Sequence, residues 1–156
     1  MRKVILNLAV TLDGFIEGPN GEIDWCIADS AEMGEGSAFE KNLWGTVHSK
    51  KKYVFSKEPQ QEGKTKFITS DIPARVNEIK SEPGKDIWLY GGAGIITTFM
   101  NMGLVDSYLL AVHPVILGGG KPLFSNIQHK VDLSLDSITS SKSGVVLLEY
   151  SRKRDA

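Results

Sequence analysis

The stretch "DIWLYGGAGIITTFMNMGLVDSYLLAVHPVILGGGKPLF", residues 86–124, decides how this chain folds. Its first five residues, 86–90, are a short apolar run that predicts a buried strand. Ile95, Ile96, Phe99 and Met100 then recur at helical spacing, which predicts a helix with one apolar face. Residues 107–117 form another apolar run, predicted as a strand that Pro114 either breaks or places at an edge. Strand, helix and strand in that order imply a parallel sheet.

Two glycine clusters punctuate the stretch, Gly91-Gly92-Ala93-Gly94 and Gly118-Gly119-Gly120-Lys121. The first lies between a strand and a helix, where an α/β sheet binds phosphate. A helix start offers unpaired N–H groups and a positive dipole end, and residues without side chains let a pyrophosphate approach. The spacing is not that of the dinucleotide fingerprint, so a plain tight turn stays open beside the phosphate reading. The second cluster is followed by Pro122 and Leu123 where a phosphate loop needs a hydroxyl residue and a helix, and it predicts a flexible turn. If Gly92 meets the pyrophosphate, a Cβ there would force a positive φ or fill the space of the phosphate.

Working outward, residues 3–10 are almost continuously apolar and predict a strand buried on both faces. They lead into a long loop marked by Asp13-Gly14, Gly18-Pro19 and Asn20-Gly21. Residues 29–43 are weakly helical, 52–56 and 66–69 predict short strands, and 71–80 predict a helix stopped by Pro83-Gly84. Val131, Leu133 and Leu135 alternate before a turn at 141–144 and an apolar run at 145–150, which predicts an antiparallel hairpin. The expected fold class is α/β, three layers, with a mainly parallel sheet that ends in this hairpin, all in one domain spanning 1–156.

The 156 residues suffice for a substantial core, and 41% hydrophobic with 24% charged residues is ordinary globular composition. A net charge of −1 gives no reason to expect nucleic acid or an anionic membrane as a partner. No stretch is apolar enough to span a bilayer, the short run at 4–10 does not resemble a signal peptide, and a single cysteine cannot form an intrachain disulfide. A cytoplasmic protein is expected. His48, His113 and His129 have no metal-ligand spacing with Cys26 or the carboxylates and are expected at the surface or at strand ends. The lysines from Lys50 to Lys66 are either a solvated face or a rim that attracts phosphate. Asp13 either touches substrate or caps its turn.

The segments "LNLAVTLDGFIEGPNGEIDW", "YVFSK" and "LYGGAGIITTFMNMGLVDSYLLAVHPVILGGGKPLF" occur in this order, and together they resemble the dihydrofolate reductase-like superfamily. The nearest branch is the stand-alone relatives of the C-terminal reductase domain of bifunctional riboflavin-biosynthesis protein. The resemblance implies NADPH as cofactor, hydride transfer to a C=N or C=O carbon of a small heterocyclic or phosphoribosyl substrate, and a homodimer. It implies that Ala9 and Ile16 offer backbone groups to the nicotinamide carboxamide and that Ser56 and Lys57 meet the adenosine 2′-phosphate. It further implies that Gly91, Gly92, Ala93, Gly94, Ile95 and Ile96 form the pyrophosphate turn. Trp25 matches the tryptophan that closes a mobile loop beside the substrate. Asp24 and Asp29 bracket the position of the folate branch's carboxylate and are candidate proton donors. Asp13 and Tyr90 are candidate substrate contacts.

Two departures accompany the resemblance. The riboflavin reductases carry an acidic residue before the glycine pair, and Tyr90 stands there instead. They also place a strand, a turn and a helix in an interval that residues 39–56 cross without such a motif. These departures leave a second reading, a non-catalytic nucleotide-binding protein on the same fold.

Overall fold

The computed structural model describes residues 1–27, 47 and 49–153. The predicted helix at 29–43 and Asp29 lie outside them. The chain divides into two compact units, one of Met1–Ile27 with Ile79–Ala156 and one of Ala28–Glu78.

The first unit is built on a five-stranded sheet. β1 (Val4–Thr11) runs between β5 (Ile87–Leu89) and β6 (Ser107–His113), both parallel to it. β9 (Val146–Arg152) adds antiparallel to β6, and β8 (Leu133–Ser140) closes the edge, giving the order β5-β1-β6-β9-β8. The hairpin predicted at the end of the chain is β8–β9. The register between β1 and β6 is unbroken from Ile5↔Ser107 to Thr11↔His113.

Helix α2 (Ala93–Asn101) follows β5 and buries Ala93, Ile96 and Phe99. The sheet face with Val4, Leu6, Val10, Leu89 and Tyr108 is equally buried, and the Tyr108 hydroxyl reaches Met100 Sδ of α2 at 3.0 Å. Each such large apolar side chain removed from water contributes about 1.5–3 kcal/mol. Burial pushes the Tyr108 phenol up to about 12. The helix stops in a Schellman motif. Gly103 takes φ +64, its N–H donates to Met100 O at 3.0 Å, and the Leu104 N–H donates to Phe99 O at 2.9 Å.

Helix α1 (Ile72–Ser81) has its last turn in this unit, where Lys80 Nζ meets Asp106 Oδ2 at 2.7 Å and the same oxygen accepts the Val4 N–H at 2.8 Å. A small second sheet pairs β2 (Phe15–Glu17) antiparallel with β7 (Lys121–Pro122). Neither strand was expected from the sequence. In the second unit, β3 (Tyr53–Phe55) and β4 (Lys66–Ile68) pair in parallel. No helix among the described residues is long and apolar enough to cross a membrane.

Candidate active site

The first glycine cluster opens α2 as predicted, but its glycines serve different purposes. A Cβ at Gly91 would collide with Cγ2 of Ile95, so Gly91 is required by the turn itself. Gly92 is the N-cap residue, with φ −71 and ψ −177. That extended backbone suits any residue, which corrects the positive φ expected as one reason for a glycine there. A Cβ at Gly92 or Gly94 would meet no described atom within 4 Å. The packing of the chain therefore demands glycine at 91 and leaves open ground at 92 and 94.

No side chain caps α2 and no acidic residue lies in its first turn. Ile96 N–H takes the first helical bond, to Gly92 O at 3.2 Å. The N–H groups of Ala93, Gly94 and Ile95 precede that bond and have no acceptor among the described residues. Three donors, a dipole end and no obstructing side chain fit a phosphate group.

The second glycine cluster has its entry engaged. Asp13 Oδ2 accepts the Gly118 N–H at 2.8 Å, and Oδ1 accepts the Leu117 N–H at 3.2 Å. The Thr11 hydroxyl donates to Asp13 Oδ1 at 2.7 Å and accepts the Phe15 N–H at 2.9 Å. The Thr11 hydroxyl bond is the main reason the Asp13 carboxyl lies below its usual range; desolvation, the next largest effect, opposes it, and the Gly118 and Leu117 N–H groups each lower it by less. Beyond the turn, Lys121 Nζ pairs with Glu17 Oε1 at 3.1 Å. Gly120 sits at φ +142, and a Cβ there would collide with the carbonyl oxygen of Glu17. The flexible turn expected here is instead a tight clamp on the loop that follows β1.

Four of the remaining candidates, Ala9, Ile16, Asp24 and Trp25, lie on β1, β2 and the loop that follows. Ala9 is half-buried in β1 beside Ala111 of β6, and Ile16 is half-buried in β2. Asp24 is exposed, while Trp25 is half-buried with its Nε1 donating to Glu22 O at 3.2 Å. The Trp25 ring stands edge-on to the imidazole of His113, with centroids 5.3 Å apart. His113 is a strand-end histidine, as expected, but it is buried, with 3% of its surface exposed. Sequence reasoning gave it no role. Its one available signal was its place at the end of a strand that would pair with β1.

Leu6↔Leu89 is the last register pair before the glycine turn, and Thr11↔His113 lies five residues further along β1. At a strand's rise that is about 16 Å. The glycine turn and the Trp25–His113 group thus lie beyond the carboxyl ends of neighbouring parallel strands, where open α/β sheets bind ligands. Tyr90, 54% exposed, extends from the end of β5 edge-on to Trp88, whose Nε1 donates to Asn7 O at 2.9 Å. Ser56 and Lys57 belong to the second unit and follow β3. The Ser56 N–H donates to Ile68 O at 3.1 Å, and Lys57 is exposed.

With this geometry in hand, comparison with known proteins identifies relatives. The family model of the RibD C-terminal domain matches residues 36–147. The uncharacterized protein YyaP of Bacillus subtilis is 46% identical over 178 residues, covering 96% of this chain and 94% of its own. That alignment is longer than this chain, so YyaP carries residues with no counterpart here. Among solved structures, a Shewanella protein named for riboflavin biosynthesis superposes with a TM-score of 0.78 at 20% identity, covering 99% of this chain and 100% of its own. The riboflavin biosynthesis reductase Rib7 of Saccharomyces cerevisiae superposes with a TM-score of 0.61 at 16% identity, covering 98% and 89%. The fold is the dihydrofolate reductase-like α/β fold expected from the sequence.

Proposed function

The chain belongs to the RibD C-terminal domain family, and from that premise we propose that it is an NADPH-dependent reductase of a small heterocyclic or phosphoribosyl substrate. Its reaction would resemble that of 5-amino-6-(5-phosphoribosylamino)uracil reductase or of dihydrofolate reductase. The observation that carries this reading is the open glycine turn, with three first-turn N–H groups unclaimed by the described protein.

NADPH, when bound, supplies the hydride. The chain's part is to hold, orient and exclude water. Gly92 and Gly94 leave room for a pyrophosphate, and the N–H groups of Ala93, Gly94 and Ile95 receive its charge. Backbone groups of Ala9 and Ile16 orient the carboxamide. Trp25 shields the reacting end from water, and Asp24, Asp29 or a water beside Trp25 delivers the proton. Asp13 already accepts three hydrogen bonds through its two oxygens, which favours Tyr90 as the group offered to the substrate. Ser56 and Lys57 are proposed as the 2′-phosphate contacts on the resemblance alone. A cytoplasmic homodimer completes the proposal. β6 and β9 are both interior to the sheet, so their edges are unavailable and only side-chain faces are left for a subunit contact.

The test is titration of the purified chain with NADPH, followed by NADPH oxidation over a panel of pterins, pyrimidines and phosphoribosylamines. Saturable binding with turnover on one of these supports the proposal, and no binding of NADPH refutes it. Lys57→Ala should weaken NADPH binding by about 1.5–3 kcal/mol, the scale of a charge-assisted hydrogen bond, and leave NADH binding unchanged. Equal losses for both cofactors would show that Lys57 does not read the 2′-phosphate.

A non-catalytic nucleotide-binding protein is the second reading. It is favoured by Tyr90 in place of an acidic residue and by the residues YyaP has and this chain lacks. Binding of NADPH without turnover on any compound of the panel would support it.

A further inference from the structure

Cys26 is the only cysteine of the chain, and it lies exposed directly after Trp25. Its Sγ stands 3.7 Å from Nε2 of His113. The other ring nitrogen, Nδ1, lies 3.0 Å from the carbonyl oxygen of Ala111. A carbonyl only accepts, so Nδ1 carries the ring proton and Nε2 turns a lone pair toward the thiol. The imidazole is almost fully buried, and among the described residues Nε2 meets no nitrogen or oxygen. Trp25 packs edge-on against the same ring, which holds it in place. An exposed thiol that serves only as surface would need no buried, oriented base behind it.

We propose that Cys26 and His113 form a base-assisted thiol, a covalent modification site for low-molecular-weight disulfides and other soft electrophiles. Nε2 takes the thiol proton as Sγ attacks one sulfur of the disulfide. The S–S bond breaks, a mixed disulfide forms on Cys26, and the departing thiolate takes the proton from the imidazolium. Cys26 is oxidised to the disulfide level and the released half is reduced to a thiol, so the disulfide is the only oxidant needed. Excess thiol reverses the step. The adduct sits next to Trp25, on the loop that borders the candidate active site. None of this depends on the reductase reading.

The test uses the full chain and two probes, the aromatic disulfide DTNB and uncharged iodoacetamide, with the rate of loss of the single thiol as readout. At pH 7 the native chain should react with each at least about tenfold faster than the same chain unfolded in guanidinium chloride, a margin set below the roughly hundredfold low end for a positioned base. His113→Asn keeps a donor for Ala111 O and removes the base, and its rate should fall to within about threefold of the unfolded chain. Circular dichroism melting establishes that the variant is folded. A native rate at or below the unfolded rate overturns the proposal without any variant, as does a folded His113→Asn protein that reacts as fast as the parent.

Discussion

The turn at 91–94 and the turn at 118–121 are both rich in glycine and both follow a strand of the same sheet, yet their backbone donors have different partners. At the second turn the Leu117 and Gly118 N–H groups hold the carboxylate of Asp13, more than a hundred residues away in the chain. At the first, the N–H groups of Ala93, Gly94 and Ile95 hold nothing that the described residues supply. Consecutive N–H groups in a turn make a concavity suited to an anion. One of the two is filled by the chain's own anion, and the other has no such occupant among the described residues. Glycine content does not separate these cases, because the distinction lies in whether a distant acid reaches the turn.

The comparison breaks most visibly at Gly120. Alanine there would meet the Glu17 carbonyl and would have to hold φ +142, a region side chains avoid. Overpacking and backbone strain together should cost about 3 kcal/mol or more, a fall in melting temperature of roughly 6–12 °C for a chain of this size. A melt of Gly120→Ala within about 2 °C of the parent would show that the second turn is not the clamp described here.

The first turn is sharpened by a pair of substitutions one residue apart. Gly91→Ala forces Ile95, a β-branched residue with few helical rotamers, to move, and should cost about 1–3 kcal/mol of stability. Gly92→Ala meets nothing in the described chain and keeps a permitted backbone, so its melting temperature should stay within about 2 °C of the parent. Its NADPH affinity should nonetheless fall at least about tenfold, because the new methyl stands where the pyrophosphate must approach. If Gly92→Ala binds NADPH as the parent does, the phosphate does not sit on this turn.

The strands of the main sheet, α2 and the closing hairpin were legible in the sequence because each rests on local apolar periodicity. Pro114 and residues 141–144 mark ends of strands. What could not be read was pairing across distance. Nothing near Asp13 signals that it serves Gly118 rather than a substrate, and an Asp-Gly pair looks the same in both roles. β2 and β7 are too short, at three and two residues, to leave a pattern. His113 and Cys26 are separated by 87 positions, so their contact depends on the register of β1 with β6 and on the path of the loop after β1. The glycine turn was legible as the passage from a strand to a helix. The division of labour between Gly91 and Gly92 needed the position of Ile95.

The smallest effect, and the most local, belongs to the carboxylate that fills the second turn. Asp13 is exposed, so its loss should lower the melting temperature by only a few degrees. The Thr11 hydroxyl, then the Gly118 and Leu117 N–H groups, hold its folded pKa below the ordinary 3.8. A depressed carboxyl contributes its stability in full above that ordinary value and loses it as pH falls through the folded one. Asp13→Asn removes the ionised form at every pH. The variant should therefore exchange the Leu117 and Gly118 amide protons faster than the parent at neutral pH, and the gap should close once the parent is brought well below pH 3.8 and its own carboxyl is protonated. Amide exchange of the two proteins side by side at each pH cancels the intrinsic pH dependence of the chemistry. A gap that persists unchanged in acid would mean that the shape of the aspartate, not its charge, holds the turn, and the picture of an anion site filled from within would fail.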